Sequence, residues 1–133
     1  QTCALPISKE KLDFIYRLKT SALIEASMMI GAVLAGATGS EQKIVEAVAS
    51  KVGLAFQIQD DILDVTSTME VLGKPIGSDE KNHKSTYVTY EGIEKAKQDV
   101  ADLSEKAIAQ METLVVKNEF LTELLRYLIS REK

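Results

Sequence analysis

Apolar residues recur at helical spacing along nearly the whole chain. Leu12, Ile15, Tyr16, Leu23, Ala26 and Ile30 fall on one side of a 3.6-residue period, which predicts one amphipathic helix over residues 8–37. Thr38-Gly39-Ser40 interrupts the pattern, with Gly39 read as the residue that ends the first helix and Ser40 as the cap of the next. A second helix is predicted over residues 41–67, with Ile44, Val48, Val52 and Ala55 facing the core. Residues 66–87 lose the period and carry Gly73, Pro75 and Gly77, so they read as a long loop. From Glu91 the period returns through Ile93, Ala96, Val100, Leu103, Ala107, Ile108, Met111 and Leu114 to about Val116. Asn118 then caps a final helix with Phe120, Leu121, Leu124, Leu125, Leu128 and Ile129 inside. No alternating β pattern appears, so the expected class is all-α, a helical bundle.

Composition narrows the class further. With 133 residues, 45% of them hydrophobic and 27% charged, the chain suits one domain with a substantial core. A net charge of −4 and the lack of a basic run argue against a nucleic-acid surface. One cysteine, Cys3, makes no internal disulfide. The longest apolar stretch, residues 26–37, is too short to span a bilayer. A cytoplasmic location is expected. Residues 1–7, QTCALPI, fit no period and resemble a translated library adapter, so they are set aside as non-native and residues 8–133 are taken as the domain.

The stretch with chemistry in it is FQIQDDILD, residues 56–64. On a helix, Asp60, Asp64 and Gln57 share an arc of about 60°, with Asp61 at about 100° from Asp60. Ile58, Ile62, Val65 and Leu54 cover the opposite side. Carboxylates about 5–6 Å apart repel by roughly 3 kcal/mol at an effective dielectric near 20. A solvated acidic face is one reading. The other is a site for a hard cation such as Mg²⁺, which takes oxygen ligands and is held by carboxylates together with substrate phosphates. The third acid and the flanking apolar residues favour the metal site.

Lys19 sits in the middle of the first apolar stripe, where an unpaired ammonium is costly. It either snorkels to water or points into a cleft that holds an anion, and Thr20 beside it offers a hydroxyl. The small residues Gly31, Ala32, Ala35, Gly36 and Ala37 suit close helix packing and do not form a phosphate loop. Lys74, Lys81 and Lys84 make the long loop basic, partly offset by Asp79 and Glu80. A long loop directly after an acidic site is expected to be functional. His83, the one histidine, reads as a solvated loop side chain.

Together, FQIQDDILD, LGKPIGSD and KSTY, in that order, resemble the second aspartate-rich region of trans-isoprenyl diphosphate synthases. Leu18-Lys19-Thr20 with Leu23 resembles the family's Lys-Thr motif at the expected distance upstream. The resemblance covers residues 8–133 and is nearest to bacterial farnesyl diphosphate synthases. It implies the C-terminal part of the class I isoprenoid synthase fold. The reaction it implies begins when Mg²⁺-bound allylic diphosphate ionises; isopentenyl diphosphate then attacks in a 1′-4 condensation, and diphosphate leaves. It also implies roles: Asp60, Asp61 and Asp64 on the metal, Lys19, Lys74 and Lys84 on the allylic diphosphate, and Thr20 and Gln57 near the reacting carbon. Asp79 resembles a loop acid of the family.

Two departures stand out. Val88 occupies a position that is often proline in the family, and the family's first aspartate-rich motif has no counterpart here. The expectation is a C-terminal portion with little or no activity alone, from a homodimeric enzyme. The competing readings are a cyclising terpene synthase, which the lysines and the Asp-Asp-x-x-Asp spacing disfavour, and a non-catalytic helical subunit.

Overall fold

The computed structural model describes residues 8–72 and 86–131. Among them are six helices and no strand: α1 (Lys9–Leu18), α2 (Thr20–Leu34), α3 (Gly39–Leu72), α4 (Tyr87–Glu91), α5 (Ile93–Met111) and α6 (Glu119–Ser130). The all-α expectation holds. Residues 1–7, and with them the adapter-like segment, lie outside the described residues.

The first predicted helix is two. The backbone breaks at Lys19, where φ is −91° and ψ −126°, and α2 leaves at a new angle. One stripe therefore does not run through both helices: Leu12 and Tyr16 are buried, whereas Leu23 and Ile30 are exposed. At the next junction the caps also differ from expectation. Gly36, at φ +84°, ends α2, with Gly36 N–H donating to Val33 O and Ala37 N–H to Ala32 O, each at 3.0 Å. This pair of bonds is a Schellman motif. Thr38, and not Ser40, caps α3. Its Oγ1 accepts from Glu41 N–H at 3.2 Å, while Glu41 Oε1 accepts from Thr38 N–H at 3.1 Å. That reciprocal capping box satisfies two amides at once, which a lone Ser40 cannot do.

The long helix α3 is the axis of the bundle. Val48, Val52, Ala55, Ile58 and Ile62 are essentially fully buried along one side of it. Val48 and Val52 pack with Ala107, Met111 and Leu125, and Ile58 and Ile62 pack with Ala96, Val100 and Ile129. The order of these contacts makes α5 antiparallel to α3. On another side, α2 approaches so closely that a Cβ on Gly53 would lie 2.8 Å from Ser21 Cα. Here glycine is required by contact.

Helix α3 runs to Leu72, into the stretch read as loop, because residues 66–72 contain no Gly or Pro and the first breaker is Gly73. The periodicity also missed α4, whose five residues are too few to show a period. Its Thr86–Thr89 capping box and the positive φ of Gly92 delimit it on both sides. Asn118 caps α6 as expected, Oδ1 accepting from Leu121 N–H at 2.9 Å. Phe120 is exposed and not in the core, and α5 ends at Met111, which leaves Val115 and Val116 in solvent.

Candidate functional site around the acidic turn of α3

Three segments converge on residues 57–61. The α1–α2 break puts Tyr16 and Ser21 on either side of Lys19, and both reach Gln57. Its amide nitrogen donates to the Tyr16 carbonyl and, at 2.8 Å, to Ser21 Oγ. The last carbonyls of a helix lack the amides of a following turn, so Gln57 caps α1 from another helix. A backbone carbonyl only accepts, so the nitrogen end of the buried Gln57 amide is fixed at this junction and its carbonyl end points away from it. Lys19 and Thr20 are exposed at the break, directly beside this contact. Lys19 therefore lies at a bend and is not embedded in an apolar stripe.

The acids part company. Asp60 is exposed on α3 and pairs with the guanidinium of Arg131, just past the end of α6. Arg131 also lies over the Phe56 ring at 4.2 Å, donates to Leu128 O at 3.2 Å, and accepts from Gln59 Nε2 on its carbonyl at 2.9 Å. Asp61 turns the other way and is half-buried. Its Oδ2 accepts from the Tyr16 hydroxyl and, at 3.2 Å, from the Tyr87 backbone N–H. Asp64 is exposed one turn beyond Asp60. Among the described residues, no group of three acidic, histidine or cysteine side chains is gathered as a metal site. In kind the donors suit a hard divalent cation, since Asp60 and Asp64 offer exposed carboxylate oxygens one turn apart, and magnesium is ordinarily held by one or two carboxylates plus phosphates. Lys74, Lys84, Asp79 and His83 lie outside the described residues.

Behind Asp61, Tyr87 anchors a second polar cluster. Its hydroxyl donates to Asp99 at 2.5 Å, Lys95 pairs with Asp99, and Lys9 pairs with Glu91 while lying 5.8 Å from the Tyr87 ring centre. Burial, followed by the Asp99 hydrogen bond, pushes the Tyr87 phenol well above its ordinary value. Burial alone would raise Asp99, but hydrogen bonds from Lys95 and Tyr87 outweigh it and hold the carboxyl below the usual range. The hydrogen bond to Glu91 raises Lys9. Sequence reasoning missed Tyr16, Tyr87 and Arg131. Nothing local marks Tyr16 or Arg131, whereas Tyr87 stands in the KSTY motif itself.

A wide cleft lies elsewhere among the described residues, between α2, the start of α3 and the α5–α6 junction, and includes none of the predicted site residues. No described helix is long and apolar enough to cross a membrane.

The all-α bundle has the class I isoprenoid synthase fold. The crystal structure of heptaprenyl diphosphate synthase from Staphylococcus aureus matches with a TM-score of 0.83 over 96% of this chain and 52% of that one, at 22% identity. The polyprenyl synthetase family model matches residues 2–125, and the chain belongs to that family. It is 45% identical over 106 residues to a chloroplastic geranylgeranyl pyrophosphate synthase of Capsicum annuum, covering 80% of this chain and 29% of that protein. The crystal structure of a geranyltransferase from Helicobacter pylori, complexed with magnesium and isoprenyl diphosphate, matches with a TM-score of 0.69 at 34% identity over 93% of this chain and 41% of that one. This chain thus spans under half the length of these two relatives. Farnesyl and geranylgeranyl synthases both match it, so the likeness is to the family and not to the farnesyl type alone.

Proposed function

We propose that this chain is the C-terminal part of a prenyltransferase that joins isopentenyl diphosphate to an allylic diphosphate by 1′-4 condensation and releases diphosphate. The observation that carries the reading is the apposition of the Lys19–Thr20 bend to residues 57–61 of α3, through Gln57. Lys19 and Thr20, both exposed, stand in the chain between the two residues that Gln57 binds, and an ammonium, a hydroxyl and carboxylates are the groups that a metal–diphosphate pair needs.

In this reading Asp60 and Asp64, with Asp61, hold magnesium, which when bound takes up charge on the leaving diphosphate as a Lewis acid. Lys19 binds the anionic oxygens of the diphosphate, as do Lys74 and Lys84. The fixed orientation of Gln57 turns its carbonyl dipole outward from the bend, and with the Thr20 hydroxyl it steadies positive charge on the reacting carbon. The substrates are an allylic diphosphate and isopentenyl diphosphate; the setting is a cytoplasmic homodimer, nearest in type to bacterial farnesyl diphosphate synthases.

Isothermal titration with Mg²⁺ and inorganic diphosphate tests the core of this proposal. Binding that Asp60→Ala abolishes is expected. Binding that Asp60→Ala leaves intact would instead favour a non-catalytic helical subunit.

A further inference from the structure

We propose that Tyr16 is a positioning residue for Asp61, acting together with the backbone N–H of Tyr87. The inference rests on the metal-site reading above. Tyr16 comes from α1, Asp61 from α3 and Tyr87 from the first turn of α4, so the contact joins three helices. The Tyr16 hydroxyl donates to Asp61 Oδ2 and accepts from Tyr87 N–H at 3.2 Å. The same N–H reaches Asp61 Oδ2 at 3.2 Å. Two donors thus converge on one carboxylate oxygen, and they are themselves linked.

That closed triangle fixes the plane of the carboxylate, which a single hydrogen bond would leave free to turn. Tyr16 in turn is held at its carbonyl by Gln57 and by burial of its ring among Leu12, Ala55 and Ile58. A buried phenol needs a partner, but a backbone carbonyl would satisfy it without drawing in a charged group. Here the partner is a member of the acidic turn, and hydrogen bonds of this kind orient carboxylates that ligate metals.

The 133-residue chain is titrated with Mn²⁺ in the presence of inorganic diphosphate, with free Mn²⁺ followed by electron paramagnetic resonance. Tyr16→Phe keeps the ring and deletes the hydroxyl, and is expected to weaken Mn²⁺ binding about tenfold. Tyr87→Pro deletes the N–H at a helix position that tolerates proline, after a Thr86 already extended at φ −119° and ψ 168°. It is expected to weaken binding more than Tyr87→Ala, which keeps the N–H. A purely structural role would lower the thermal midpoint of Tyr16→Phe and leave its Mn²⁺ affinity unchanged. Loss of binding in Asp61→Asn with none in Tyr16→Phe overturns this inference alone. Binding indifferent to Asp61→Asn overturns the metal role of Asp61 and this inference with it.

Discussion

Arg131, the last described residue, rests its guanidinium on the carboxylate of Asp60, 71 positions earlier in the chain. The Phe56 ring beneath it and its bond to Leu128 O hold it there, so the first acid of the turn carries a resident counter-charge. An exposed ion pair of this kind is worth about 0.2–1 kcal/mol. Arg131→Gln is therefore expected to change unfolding free energy by no more than about 1 kcal/mol. If Asp60 is a metal ligand, the same substitution removes a competitor and tightens Mn²⁺ binding, whereas Arg131→Lys falls between. Unchanged affinity in Arg131→Gln would contradict that competition.

The contact between α2 and α3 at Gly53 leaves no room for a side chain. A Cβ would sit 2.8 Å from both Ser21 Cα and Cβ, and the backbone atom cannot swing aside. Gly53→Ala is expected to cost about 1–3 kcal/mol in urea unfolding, despite alanine's better helix propensity. Stabilisation would mean that the helices do not approach this closely.

Ile58 is fully buried at the centre of the upper core cluster, between α1 and α5. Ile58→Ala is expected to destabilise by about 2–5 kcal/mol. Domains hold only about 5–15 kcal/mol in total, so this variant should show a marked fall in thermal midpoint.

The Tyr87–Asp99 pair predicts two limits in pH. Tyr87 is raised when folded, so its contribution is complete below the ordinary tyrosine value of about 10 and is lost as pH climbs beyond it. Asp99 is lowered when folded, so its contribution is present above about pH 4 and is lost as pH falls further. Tyr87 should ionise late in an ultraviolet titration, and Tyr87→Phe should shrink the late phase by one of the four tyrosines. A titration in which no tyrosine ionises late would exclude the buried pair.

Residues 60–64 are the one Asp-Asp-x-x-Asp motif in the 133 residues. The chain alone is expected to give little or no product from dimethylallyl and isopentenyl diphosphates. Robust turnover would show that the acidic turn of α3 suffices.

What the sequence revealed follows the range of the interactions involved. Helical spacing exposed α3, α5 and α6, and Asn118 announced its own cap, because these signals are local. The Thr38–Glu41 capping box was also written in the chain, as Thr-x-x-Glu, but Gly39-Ser40 offered a competing reading. The bend at Lys19 was not visible. Residues 17–20 contain neither Gly nor Pro, and the group that satisfies the Tyr16 carbonyl comes from Gln57, 41 positions away. The grouping of Asp60, Asp61 and Asp64 was legible as a helical arc, but the division of Asp60 to Arg131 and Asp61 to Tyr16 with Tyr87 depends on partners from distant helices.

The borrowed cap at Gln57 bears on how the chain folds. A bend whose Tyr16 carbonyl is capped by Gln57 of another helix loses that cap when the other helix is absent. Early in folding, or in an excised peptide of residues 8–37, Tyr16 O would recover the amide of the next turn and the two helices would run straight through Lys19. The kink belongs to the docked state, so the geometry around Lys19 is acquired late, when α3 arrives. A continuous helix in that peptide, seen by nuclear Overhauser contacts across residues 16–20, would mark the bend as a product of assembly and not of local sequence.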